Sequence, residues 1–111
     1  MYQLKNIRTF VNMCDFEIVY LEQSIGLVSI NLFEDKIFIR QIRIDGIHKR
    51  KGHARNVIKL LFKTFNKNIR FCIATNSKSA ILFWDQILKE NTHKYIRGDI
   101  YEIIYERNDN K

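Results

Sequence analysis

Proline is absent from the 111 residues, cysteine occurs twice, glycine four times and tryptophan once. With no proline, no Gly/Ser-rich stretch and no internal repeat, the chain offers no linker and no boundary, so one domain over residues 1–111 is expected. Two cysteines, Cys14 and Cys72, do not make a disulfide framework or a zinc site, and a reduced, cytoplasmic setting is the default. No apolar run approaches the ~20 residues that cross a bilayer, so no membrane partner is expected. The first eight residues, Met1 to Arg8, lack the apolar segment and small-residue cleavage site of a secretory signal. Acidic residues are also scarce: 12 Asp and Glu stand against 19 Lys and Arg, a net charge of +7. That balance favours an anionic partner, and nucleic acid, an anionic membrane surface or a polyphosphate ligand would each satisfy it.

Hydrophobic residues make up 46% of the chain, enough to bury a core without metal or disulfide staples. Up to Cys14 the pattern is ambiguous. Phe10, Val11, Met13 and Cys14 form a small apolar cluster suited to core packing or to a subunit interface. From Phe16 to Leu21, β-branched and aromatic residues read as a strand. Residues Val28 to Leu32 alternate with the strand period of two. After a Glu34-Asp35 turn, Ile37 to Ile44 complete an antiparallel meander. This third strand has a parity fault, because Ile37 and Ile39 point one way and Ile42 and Ile44 the other. Either a β-bulge near Arg40-Gln41 restores one apolar face, or the strand is buried on both faces.

Ala54, Val57, Ile58, Leu61, Phe62 and Phe65 follow the spacing of one buried helix face. Ile69 to Thr75 is a short apolar run of the kind found in a buried parallel strand, so the helix bridges a βαβ unit. Asn76 or Ser77 can cap a second helix with Ala80, Ile81, Trp84, Ile87 and Leu88 inward. Tyr95 to Tyr105, turning at Gly98-Asp99, closes the chain as a hairpin. The expected class is α+β, a mixed, mostly antiparallel sheet with one central parallel pair, in the order βββαβαββ.

The connection into the first helix carries the chemistry. Lys49, Arg50, Lys51 and Arg55 surround a helix N-terminus whose backbone N–H groups are unpaired, with Gly52 and Ala54 leaving room for close approach. This is an anion cradle suited to a di- or triphosphate, although a basic surface loop has the same composition. It matches neither G-x-x-x-x-G-K-S/T nor G-x-G-x-x-G. Cys72 reads as a small buried hydrophobe. His48, His53 and His93 lack metal-ligand spacing, and no metal is expected. Glu17, Glu22, Glu102 and Glu106 read as solvated strand positions.

The spacing Lys49-Arg50-Lys51-Gly52-His53-Ala54, after a strand ending Ile42-Arg43-Ile44, resembles the acetyl-CoA motif of the GNAT acetyltransferases, Arg/Gln-x-x-Gly-x-Gly/Ala. Asn76, Ser79-Ala80 and the Phe83-Trp84 pair resemble the family's second block. The resemblance implies a compact GNAT fold and an enzyme that moves an acetyl group from acetyl-CoA to an amine by direct attack. It places pantetheine against Ile42 and Ile44, with the Ile42 N–H on the thioester carbonyl, and pyrophosphate on the N–H groups from Arg50 to Arg55. Asn76 and Phe83 would touch the pantetheine arm.

Two positions depart from the family. Trp84 stands where many members carry a proton-donating Tyr, and Phe38 where many carry a Glu. Tyr95, Tyr101 or His93 are the replacement candidates. The family's N-terminal helices have no room ahead of the meander, so the acceptor site is expected to be open, for a macromolecular amine, or completed by a second copy in a homodimer. The alternatives are a non-catalytic acyl-CoA-binding module and a small basic nucleic-acid-binding domain.

Overall fold

The computed structural model describes residues 1–49, 51–73 and 77–106. Arg50 and Asn76, both candidate ligand residues, lie outside the described residues. The meander is one strand longer than the sequence pattern indicates. Before β2 (Met13–Tyr20), β3 (Gln23–Leu32) and β4 (Lys36–Ile44) comes β1 (Tyr2–Phe10), paired with β2 from Tyr2↔Tyr20 to Phe10↔Met13. Only Tyr2 and Leu4 of β1 are even half-buried, which is too little to show as a periodicity. Edge pairing makes it a strand. The two hairpin turns hold Val11, Leu21 and Glu22 at positive φ, as tight two-residue turns require.

The chain continues as α1 (His53–Phe65), β5 (Asn68–Cys72), α2 (Lys78–Glu90), β6 (His93–Arg97) and β7 (Ile100–Ile103). The sheet runs β1-β2-β3-β4-β5-β7-β6, antiparallel throughout except where β4 meets β5. The parity fault is a bulge. Ser29 pairs with Gln41 and Ile30 with Ile39, leaving Arg40 as the extra residue. Ile37 and Ile39 are therefore buried on the same face that Ile42 and Ile44 join farther along.

Both helices pack on that face. Phe65 of α1 meets Phe16 of β2, and Trp84 of α2 lies flat on Phe71 of β5, ring centres 4.1 Å apart. An Arg55–Glu90 ion pair of 2.8 Å ties the helices together. Ile81, expected inward, is on the outer side of α2 and exposed. On the opposite face no helix lies among the described residues, and long polar side chains cover the strands.

Candidate functional site

Parallel pairing of β4 with β5 runs from Lys36↔Asn68 to Ile39↔Phe71 and stops there. The next residue of β4 is the bulge at Arg40. From Arg40 to Ile44, β4 keeps β3 on one edge, while the other edge has no strand partner among the described residues. Backbone N–H and C=O groups on that edge are open to a ligand. The opening is a cleft of about 940 Å3 that passes through the sheet. Its helix side is formed by Gly52, Ala54, Arg55, Ala80, Phe83 and Trp84, and its far side by Arg40, Gln41, Arg43 and Cys72.

Gly52 caps α1 in the left-handed conformation, φ 78°, which a Cβ disfavours. A Cβ there would meet no atom within 4 Å, so backbone conformation, not crowding, asks for glycine, and the space ahead is free. Glycine brings no capping side chain and the first turn of α1 holds no acid, so its N–H groups present partial positive charge to the cleft. A single 3-10 turn, Gly46–His48, leads into this loop, anchored where the Asp45 N–H donates to the Ile25 carbonyl at 2.8 Å.

His53 follows the capping glycine and is only 7% exposed. The Tyr2 hydroxyl lies 2.6 Å from His53 Nδ1, and Asn56 Nδ2 donates to the same hydroxyl at 3.1 Å. The hydroxyl accepts from Asn56 and still has its own proton and a second lone pair, so it can pair with Nδ1 in either tautomer of the ring. Burial pushes the His53 pKa below its ordinary value, and the charges of His48 and Lys51 push the same way. The ring is therefore neutral near pH 7. This anchor from β1 to the loop was missed by sequence reasoning, since its partners are 51 and 54 residues apart.

Of the residues singled out in the sequence, Ile42, Ile44, Lys49, Gly52, His53, Ala54, Arg55 and Phe83 come together around the cleft. Lys51 is exposed and is not among the lining residues. Arg55 shares its charge with Glu90. Tyr95 and Tyr101 pack edge to face, ring centres 5.3 Å apart, and neither lines the cleft. Tyr101 sits beside Phe71 in the register, on the helix-covered face.

Three sequence expectations are corrected. Cys72 is not a buried hydrophobe: it ends β5, exposed, in the cleft. Glu102 is not solvated. It is 4% exposed and accepts from Asn68 and Arg70, each at 2.9 Å. Burial raises its pKa, but these hydrogen bonds and the charges of Arg70 and Lys94 outweigh that and hold it below the ordinary value. Phe10 and Val11 are not core residues, at 69% and 82% exposed. Among the described residues no cluster of His, Cys, Asp and Glu is placed to hold a metal, and no helix is long and apolar enough to cross a membrane.

No protein-family model matches the sequence, and no curated protein matches it either, so the likeness to known proteins lies in three dimensions. A PaiA N-acetyltransferase from Thermoplasma acidophilum, in complex with coenzyme A, superimposes with a TM-score of 0.66 at 12% identity, over 85% of this chain. The chain spans 62% of that protein's length. A GNAT family acetyltransferase from Elizabethkingia anophelis with acetyl-CoA bound gives 0.53 at 14% identity, over 84% of this chain and 74% of its own. The anti-CRISPR protein AcrVA5 gives 0.55 at 13% identity, over 83% of this chain and 98% of its own, so the fold occurs elsewhere at this compact size. The fold is that of the GNAT acetyltransferases.

Proposed function

We propose that the cleft binds acetyl-CoA and that the protein transfers the acetyl group to an amine. The observation that carries this reading is the end of β4–β5 pairing at Ile39↔Phe71 beside an uncapped, glycine-led helix N-terminus. The residues fit the ligand. The open edge of β4 from Arg40 to Ile44 suits an amide-bearing arm, and the first turn of α1 with Lys49 suits a diphosphate. Phe83 and Trp84 give the apolar wall.

Acetyl-CoA would supply an activated thioester. The protein's part is to hold the donor through backbone groups, with the Ile42 N–H assigned to the carbonyl oxygen, and to admit the amine from the uncovered face. Neither Trp84 nor Phe38 can exchange a proton and Glu102 is sealed by Arg70 and Asn68, which leaves His48 in the cleft lining and water at its mouth to take the proton of the attacking amine.

Thermal unfolding tests the reading. Acetyl-CoA at 100 times its dissociation constant should add about 2.7 kcal/mol of stability. Gly52→Asp should abolish the shift by placing a carboxylate where phosphate approaches. No shift for the wild-type protein at saturating ligand overturns the proposal. The missing proton donor at Trp84 and base at Phe38 favour a second reading, an acyl-CoA-binding module without turnover. A stabilising shift with no thiol release from peptide, polyamine and aminoglycoside amines would select it. A steep salt dependence of DNA binding with indifference to CoA would select a nucleic-acid binder.

A further inference from the structure

A second hollow, about 600 Å3, opens on the uncovered face at the β1–β2 end of the sheet. Arg8, Thr9, Phe10, Met13, Asp15 and Arg40 line it. Arg40, the bulge residue, also lines the cleft, so the two spaces share a side chain.

The hollow has a charged half and an apolar half. Arg8 and Arg40 both reach Asp15, at 3.5 and 3.1 Å. Two guanidinium groups on one carboxylate leave one positive charge over. Arg8 is 74% exposed and Arg40 34%, so both keep N–H donors toward solvent. On the apolar side Phe10 and Met13 are exposed, with Val11 and Ile7 exposed nearby. Exposed apolar residues grouped beside arginine are typical of protein-binding surfaces. A nucleic-acid backbone would leave Phe10 and Met13 without use. A peptide with an acidic and an apolar side chain satisfies both halves.

We propose that this hollow docks a protein substrate, with an acidic side chain on the solvent-facing N–H donors of Arg8 and Arg40 and an apolar neighbour against Phe10 and Met13. The amine to be acetylated is then presented at the cleft mouth beyond Arg40. The identity of the amine rests on the acetyl-transfer reading; the docking contact does not.

The test uses fluorescent peptides that carry one lysine, one leucine or phenylalanine and either Glu or Gln, with the full chain. Anisotropy without CoA should show the Glu peptides binding about threefold tighter than their Gln partners, the scale of an exposed ion pair. Arg8→Glu should erase that difference and Phe10→Ser should weaken both peptide sets. Both variants should keep the wild-type melting temperature and the acetyl-CoA shift. With acetyl-CoA present, kcat/KM for the Glu peptide should fall in both variants while KM for acetyl-CoA stays constant.

Peptide docking without any thiol release supports this site and counts only against acetyl transfer. Thiol release from small amines with equal binding of Glu and Gln peptides overturns this site and leaves acetyl transfer standing. A dimer in sedimentation that Phe10→Ser dissociates, or duplex DNA that displaces the peptides and is lost in Arg8→Glu, also overturns it.

Discussion

On the helix-covered face, Ile37, Ile39, Ile69 and Phe71 stand side by side in the parallel pair, all at most 4% exposed, beneath Val57, Leu61 and Trp84. On the other face the same strand segments carry Lys36, Phe38, Asn68 and Arg70. Yet this uncovered face also buries groups: Ser29 is 6% exposed and Glu102 4%. Arginine and lysine stems shield them, with charged ends bonded to Asp15 and Glu102. The first face is held by close packing of volume and tolerates little change. The second is held by paired charges, which water can partly replace.

The sharpest way to break this contrast is on the packed side. Phe71→Ala removes the ring beneath Trp84 and should cost about 3–5 kcal/mol in denaturant unfolding, with an altered Trp84 fluorescence in the folded state. A loss below about 1 kcal/mol would mean that the helix face is loosely packed.

On the uncovered side, Glu102→Gln keeps the shape but removes the charge that Arg70 meets at 2.8 Å. Its expected cost in the same measurement is about 2 kcal/mol, because Arg70 keeps partial access to water. A cost equal to that of Phe71→Ala would erase the distinction between the faces.

The smallest effect separates the faces by pH. His53 has its folded pKa lowered from 6.5, so the unfolded chain takes up a proton that the folded ring resists. Its contribution is complete above 6.5 and is lost as pH falls toward the folded value. Asp15 and Glu102 have folded pKa values below 3.8 and 4.5, so their contributions are lost only as pH falls through those lower folded values. His53→Gln should therefore flatten the drop in melting temperature between about pH 7.5 and 5.5. Glu102→Gln should flatten only the drop below about pH 4.5. Equal slopes in both variants would count against the assignment.

Much of this architecture is written in local pattern. The alternation from Val28 to Leu32 and the helical spacing from Ala54 to Phe65 each report one buried face, and the short apolar run after Ile69 reports a buried strand. The loop from Lys49 to Arg55 was legible because glycine and cations precede an amphipathic helix. Strand β1 was not, because it is an edge strand whose pairing partners all lie across a hairpin in β2 and little of its surface is buried. Cys72 and Glu102 were misread for a related reason: at a strand end or within an ion-pair network, burial is set by neighbours distant in the chain.

The sequence alone determined the βα unit and the glycine-led cationic loop, since these follow from spacing within a few residues. The parity of Ile37 to Ile44 left a bulge and a strand buried on both faces equally open until β3 paired with β4. Tertiary structure alone decided where β5 stops beside β4 and hence that a cleft runs through the sheet. It also decided that Tyr2 anchors the His53 ring and that Arg40 is shared by the cleft and the second hollow. Each of these depends on residues that come together only when separate strands pair, and pairing register is a property of the whole sheet.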